Sequence, residues 1–426
     1  MNRASRTEIS TLGEFGLIEH LTSDITPVNA ETLMGVGDDA AILSFKEGEE
    51  VLVTTDLLME GVHFDLTYVP LRHLGYKAAM VNLSDIYAMN GTPKQITVSV
   101  ALSKRFCIED LEDFYSGLKL ACERHNVDIV GGDTSSSLTG LAISITAIGT
   151  APAGKSVKRS GAKPTDLICV SGDLGAAYMG LQLLEREKIA LDGEEGVQPD
   201  FAGKEYLLER QLKPEARRDI VEALREANIV PTSMMDVSDG LSSELLHICK
   251  QSGVGCRIYE DNIPIDYQTA VMAEELNLNV ITCALNGGED YELLFTVPIA
   301  DYEKVATLKN VRLVGHIVKE ELGAALVTRD GVERELKAQG WNPLKSEKLH
   351  KLMFAHYLLQ TIMLLSGAVA LSAAVFDADW FFKSRNAEPE VRMFGRERSR
   401  LLYALLGIVL MAAALFFYMR VSQMVV

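Results

Sequence analysis

Aspartates recur along this chain where an apolar run gives way to a Gly- or Ser-rich turn. Asp38 and Asp39 stand in GVGDDAAIL, Asp56 closes VLVTTD and Asp133 closes VDIVGGD. Asp236 and Asp239 lie in MMDVSDGLSSE, and Asp85 sits within the helical pattern VNLSDIYAM. Taken singly, such an aspartate serves as an N-cap or turn residue. Repeated through one chain, they point to a shared site for a hard divalent cation. Mg²⁺ prefers oxygen ligands and is commonly held by a few carboxylates, several waters and substrate phosphates. Neighbouring glycines let backbone and phosphate groups come close. The chemistry that suits this set is phosphoryl transfer, which needs positioning and charge neutralisation more than covalent help. A phosphate oxygen attacking another phosphate is already ionised near neutral pH, so no strong general base is required.

A second stretch competes for the nucleotide. GTAPAGKS, Gly149 to Ser156, fits the P-loop pattern G-x-x-x-x-G-K-[ST]. The strand-like LAISITAIG leads into it, but a P-loop must open a helix whose N-terminus faces the phosphates. The chain instead continues as VKRSGAKPTD, where Gly161 and Pro164 stop a helix before two turns form. Lys155 and Ser156 are therefore expected in an interdomain turn.

The elements that would position the carboxylates alternate between two periods. EVLVTTD, QITVSVAL, VDIVGGD, LAISITAIG and DLICVSG read as strands; YKAAMVNLSDIYAMN and IEDLEDFYSGLKLACERHN read as helices. The fold class expected is α/β (α+β) with two domains. The cluster of Gly, Pro and Lys in APAGKSVKRSGAKPTD suggests a boundary, giving domains over 1–152 and 153–344.

Bulk properties bound the function. The 426 residues carry 41 Lys and Arg against 59 Asp and Glu, a formal net charge of −18. That balance argues against nucleic acid as a partner. From Lys345 onward there are 10 basic and 6 acidic residues, leaving 31 against 53 in the body. Six cysteines without CxxC spacing fit a reducing cytoplasm rather than a disulfide framework or zinc site. The N-terminus shows no apolar core of signal-peptide length.

The tail, 345–426, changes character. Two uncharged apolar stretches, Leu352 to Phe376 and Leu401 to Met419, approach the roughly 20 residues that a helix needs to cross a bilayer. A two-helix membrane hairpin is the expectation, with buried or partner-facing helices as the alternative. His356 and Gln360 weaken the first span. Lys345, Lys348 and Lys351 flank one end, and Arg396, Arg398 and Arg400 the other. If the body uses cellular ATP, those arginines fall on the side that the positive-inside tendency disfavours.

EFGLIEHL, GVGDDAAIL, TTDLLMEGVHF, KAAMVNLSDIYAMNGTP, IVGGDTS, RSGAKPTD, MDVSDGLSSEL and NGGEDYELLF stand in series. In this order and spacing the body, about residues 8–344, resembles the thiamine-monophosphate kinases. That family belongs with the aminoimidazole-ribonucleotide synthetase-like superfamily, whose ATP site is not a P-loop. The resemblance implies that ATP and thiamine monophosphate give ADP and thiamine diphosphate by direct in-line transfer, with several Mg²⁺ ions and no phosphoenzyme. It implies metal ligands at Asp39, Asp56, Asp85, Asp133, Asp236 and Asp239, with Thr54 beside them and Asp38 placed to orient Asp39. ATP contacts fall on Thr55, Tyr115, Gly132, Arg159 and Ser238; Asp133, Asp239 and Arg159 act most directly in catalysis. His63, Glu289 and Trp341 match substrate-contacting positions, Trp341 offering a flat ring to the cationic thiazolium. A homodimer is also implied.

The bland readings stay open at this level. His63 alone reads as a satisfied polar residue, Glu289 as a turn residue, Trp341 as a packing aromatic and Arg159 as a salt-bridge partner. Other functions remain in view: another member of the ATP-dependent superfamily, or a non-catalytic body on a membrane tether. The selenophosphate synthetases need a reactive Cys and a Lys near the N-terminus; here the first cysteine is Cys107 and no lysine precedes Lys46. The whole picture is a cytoplasmic kinase body tethered to the inner membrane by residues 352–419.

Overall fold

The computed structural model describes residues 7–38, 40–191, 199, 201–339, 347–384 and 387–425. The chain divides into two compact units, one through Trp341 and one from Asn342.

The first unit opens with α1 (Gly13–Thr22) and a small antiparallel pair, β1 (Thr32–Met34) with β2 (Ile42–Leu43). Next comes a four-stranded sheet, built from β3 (Glu49–Met59), β4 (Thr92–Leu102), β5 (Asp128–Ser136) and β6 (Leu141–Pro152) in the order β3-β6-β4-β5. Period-two patterning sets its faces. In β6, Leu141, Ile143, Ile145 and Ala147 are buried while Ala142, Ser144, Thr146 and Ile148 are partly open, as a half-covered strand requires. The covered face lies under α2 (Leu71–Ala88) and α3 (Ile108–His125). These helices touch backbone to backbone: a Cβ at Gly75 would fall 1.9 Å from the Phe114 carbonyl oxygen, and one at Gly117 1.7 Å from that of Arg72. No other residue type permits that approach.

A seven-stranded sheet forms the second half of this unit, from β7 (Leu167–Ser171), β8 (Ser233–Asp236), β9 (Val254–Tyr259), β10 (Leu293–Val297), β11 (Val311–Lys319), β12 (Ala324–Val327) and β13 (Glu333–Glu335). Its order is β13-β12-β9-β11-β7-β10-β8; only the β12–β9 pair is parallel. The connections carry α4 (Ala176–Ala190), α5 (Glu205–Leu212), α6 (Arg218–Glu226), α7 (Leu241–Ser252), α8 (Tyr267–Glu275), α9 (Val280–Asn286) and α10 (Tyr302–Val305).

The two sheets share one hydrophobic core. Ile86, Val98 and Phe114 from the first half belong to the same buried cluster as Ile220, Met234 and Phe295 from the second. Arg225 of α6 fastens the halves by donating to the carbonyls of Asn90 and Gly91 and to the Thr92 hydroxyl. All six cysteines are buried, and among the described residues none is in a disulfide.

The strands and helices expected around the aspartates are present. The P-loop look-alike ends as expected too: β6 runs to Pro152, Gly154 turns with φ +71°, and the next helix is α4, beginning at Ala176.

In the second unit, α11 (Glu347–Phe376) and α14 (Arg396–Val425) pack antiparallel, joined by α12 (Asp379–Phe382) and α13 (Glu388–Phe394). The seam is lined by small residues: a Cβ at Gly367 would lie 2.8 Å from the Gly407 carbonyl oxygen, and one at Gly407 2.7 Å from that of Gly367. The apolar stretches long enough for a bilayer run Leu358–Phe376 and Arg396–Tyr418, 19 and 23 residues. By length and composition alone they also suit buried helices.

Candidate active site

Three elements bring carboxylates together where the two sheets meet: the middle of β3, the C-terminal half of α2, and the turn after β8. On α2, one turn serves all three. Asn82 accepts the Asp56 backbone N–H at 3.1 Å, Ser84 donates its hydroxyl to Asp236 Oδ2 at 2.7 Å, and Asp85 Oδ2 accepts the Thr54 hydroxyl at 2.5 Å. Asp236 is 4% exposed, so its charge is costly there without positive neighbours.

The titration of these groups reflects that cost. Burial, with Asp85 adding repulsion, pushes the Asp56 carboxyl up to about 6. Burial, then Asp85 and Asp56, carries Asp236 up to about 7, although the Ser84 hydroxyl pulls the other way. Asp85 is raised by burial against the opposing pull of Thr54 and Arg159. Asp239 is raised by burial too, while His247 and Arg159 act in the opposite sense. The exposed Arg159 in the β6–β7 connection thus acts on both Asp85 and Asp239, which ties the two to one neighbourhood.

The turn carrying Asp239 interleaves with a second loop, Asn286 to Glu292. Glu289 N–H donates to Ser238 O at 2.6 Å, Tyr291 N–H to Val237 O at 2.9 Å, and Val237 N–H to Glu292 O at 2.7 Å. To do this Glu289 and Tyr291 take φ values of +59° and +52°. Non-glycine residues in that region cost about 1–3 kcal/mol each and persist where the surroundings over-determine them. Below the loop Asp290 accepts from the N–H groups of Gly175 and Ala177 at the start of α4, and buried Glu292 pairs with Arg210 and Arg217.

Glu289 and His63 face the same neighbourhood. Lys77 of α2, 5% exposed, holds Glu289 Oε1 at 3.1 Å, and Gln211 donates to Oε2 at 2.8 Å. His63 Nδ1 accepts the Met59 N–H at 3.0 Å, so the neutral ring carries its proton on Nε2. Burial lowers the His63 pKa, with the Glu289 carboxylate opposing.

The other expected residues are set by the strands and their turns. Thr55 Oγ1 donates to the Ile145 carbonyl on β6. Ser238 is partly exposed in the β8–α7 turn. Asp133 is exposed on β5, opposite Ser99 of β4, and its carboxylate makes no hydrogen bond or ion pair among the described residues. Gly132 is required by β4 itself, since a Cβ there would fall 1.9 Å from the Val98 carbonyl oxygen. Tyr115 lies in the core, 8% exposed, its ring edge-on to Phe114. Asp39 and Trp341 fall outside the described residues.

Sequence reasoning passed over Lys77 and Glu244. Glu244, in the first turn of α7, is 1% exposed and accepts the Asp239 N–H at 2.9 Å. Burial pushes it up to about 8. It stands four residues after the Gly240 N-cap, outside the capping-box spacing; Lys77, a buried cation among the apolar residues of α2, gave no signal beyond its oddity.

Among the described residues no three acidic, histidine or cysteine side chains lie close enough to hold a bare ion between them. The donor set nevertheless fits Mg²⁺: it is all oxygen, and its carboxylates repel one another for want of positive charge. An ion that keeps several waters and binds substrate phosphates needs few direct protein ligands.

The AIR synthase related protein, N-terminal domain family matches residues 37–151. The thiamine-monophosphate kinase of Bacillus subtilis is 33% identical over 340 residues, 78% of this chain and the whole of that relative. The kinase of the same name from Aquifex aeolicus is 37% identical over 290 residues, 68% of this chain and 87% of its own.

This chain belongs to the thiamine-monophosphate kinase family.

The family's enzymes include a solved structure described as AaThiL complexed with AMPPCP and TMP. It superposes with a TM-score of 0.61 at 34% identity, covering 79% of this chain and 99% of that one. The tail, to which sequence reading gave no family, matches Immunity protein 17 over residues 362–418. Its hydropathy alone held no signal that could have supplied that likeness.

Proposed function

We propose that the chain transfers the terminal phosphoryl group of ATP to the phosphate of thiamine monophosphate, giving ADP and thiamine diphosphate, the last step in making that cofactor. The observation that carries this reading is the meeting of Asp56, Asp85, Asp236 and Asp239 at the junction of the sheets, beside the Glu289 loop. The complex of a relative with AMPPCP, an ATP analogue, and TMP supports the same pair of substrates.

Asp39, Asp56, Asp85, Asp133, Asp236 and Asp239, with Thr54, would hold the Mg²⁺ ions. When bound, they supply the positive charge that two anionic substrates need to approach each other. Arg159 adds a guanidinium able to grip phosphate oxygens in a bidentate manner. Thr55, Gly132 and Ser238 complete the phosphate side, with Tyr115 on the adenine side. Glu289, braced by Lys77 and Gln211, and His63, with its Nε2 proton, orient the acceptor, with Trp341 against its thiazolium. Asp133, Asp239 and Arg159 lie nearest the transfer itself.

The chain forms a homodimer in this reading. On the open face of β3, Val53 and Leu57 are 65% and 57% exposed, with Val51 and Met59 also open. An apolar strip of that kind favours a partner. The body is placed in the cytoplasm, where ATP is available, and α11 and α14 anchor it to the inner membrane as a hairpin.

The test is Mg²⁺-dependent product formation by the purified chain supplied with ATP and thiamine monophosphate. Thiamine diphosphate is expected from the wild type, with a large loss in Asp85→Asn. A folded wild type that hydrolyses ATP but makes no thiamine diphosphate overturns the reading.

A further inference from the structure

We infer that the segment between the two long tail helices is a membrane-interface cap, seated among lipid headgroups rather than extended into water. The inference rests on the reading of α11 and α14 as membrane spans and goes beyond it by assigning a lipid surface to residues 377–384 and 387–395.

The described residues of the segment are folded onto the helix ends. Asp377 takes φ +53°, which lets Ala378 N–H return to the Ala373 carbonyl at 3.0 Å and closes α11 in the manner of a Schellman turn. The last carbonyls of α11 are satisfied from within: Arg400 Nε donates to Ala374 O at 2.9 Å, and Arg400 Nη2 to Val375 O at 3.3 Å. Helix ends far from water need such internal partners. Arg396 pairs with Asp377 and Asp379, both at 2.8 Å, and its guanidinium stands 4.8 Å from the centre of the Phe382 ring. Phe381 meets Tyr403 edge-on at 5.1 Å.

Part of the surface that the cap leaves outside is apolar and continues from the spans. Phe376, at the end of α11, is 81% exposed; Trp380 is 69% and Met393 74% exposed, with Phe394 also open. A loop meant for water would turn these inward. Beside them stand charges paired at short range, Lys383 with Asp379 and Arg392 with Glu388, each at 2.7 Å. Those charges keep the segment out of the hydrocarbon. Aromatic rings with charged neighbours at the end of a span match the chemistry of the headgroup layer.

The chain has two tryptophans, Trp341 and Trp380, so a full-length Trp341→Phe variant reports on Trp380 alone. The variant is reconstituted into phosphatidylcholine–phosphatidylglycerol vesicles and floated on a density gradient. Emission is then read with lipids brominated near the headgroup or near the chain end. Flotation, blue-shifted emission and stronger quenching by the headgroup-proximal bromines are expected; Trp380→Ala in the same background removes the signal. Emission typical of water with no quenching in floated vesicles overturns the cap while leaving the hairpin standing. Stronger quenching from the chain end also overturns it, by placing the segment inside the hydrocarbon. Failure to float removes the membrane reading itself.

Discussion

Asp239 stands where the account can be tested one side chain at a time. Its backbone is tied to Glu244 and its carboxyl shares Arg159 with Asp85. Replacing it by Asn keeps size and hydrogen bonding while removing the charge a cation would use. Asp239→Asn and Asp133→Asn should each lower thiamine diphosphate formation by about 100-fold or more, with circular dichroism unchanged. Near-normal turnover in either folded variant would show that its carboxylate holds no metal. His63 gives a prediction in pH. Its folded-state pKa lies below the ordinary imidazole value because of burial. Below that ordinary value, about 6.5, the unfolded chain takes up a proton that the folded chain resists, so stability from the neutral ring is lost as pH falls. The wild type should lose melting temperature relative to His63→Asn between about pH 7 and pH 5; a constant gap contradicts the burial of a neutral ring. At this scale the carboxylates were legible because they recur beside Gly, Ser and Thr along apolar runs, and one aspartate would have said little; the expected strand ends were misplaced, since β3 and β5 run on past Asp56 and Asp133. Lys77 and Glu244 were hidden because their roles depend on partners far along the chain or across a turn.

The sheets depend on patterning that sequence carries well in some strands and poorly in others. β4 and β6 were readable because long period-two alternation leaves few other structures for them, and β5 because a short apolar run leads into glycines. β8, of four residues, and β12, also of four, are too short to declare themselves. The order β13-β12-β9-β11-β7-β10-β8 depends on contacts between distant segments, which local pattern does not encode. P-loop chemistry at GTAPAGKS fails at this same scale, because no helix continues from the turn. The open face of β3 makes its own prediction. A charge at Val53 should break an apolar interface without touching the core, so Val53→Asp should sediment as a monomer where the wild type sediments as a dimer. Identical sedimentation of the two chains removes β3 from the interface.

At the scale of the whole molecule, the site exists because α2 belongs to both halves of the body. It packs under the first sheet and reaches Asp236 of the second through Ser84. Sequence raised the expectation of two halves but no view of the shared core in which Ile86 and Phe295 belong together. The tail's apolar spans were plain from hydropathy; its small-residue seam at Gly367 and Gly407 required the packed helices to be seen. Because the body carries the proposed machinery, a chain ending at Leu344 should be soluble and retain activity, as read by gel filtration and product formation. A folded but inactive body would give the tail a part in catalysis or assembly. The most direct test of the central claim tracks the phosphoryl group itself: ATP labelled at its terminal phosphate, incubated with the full chain, Mg²⁺ and thiamine monophosphate. Label is expected in the terminal phosphate of thiamine diphosphate, in step with ADP; label confined to ATP or inorganic phosphate would show that no such transfer occurs.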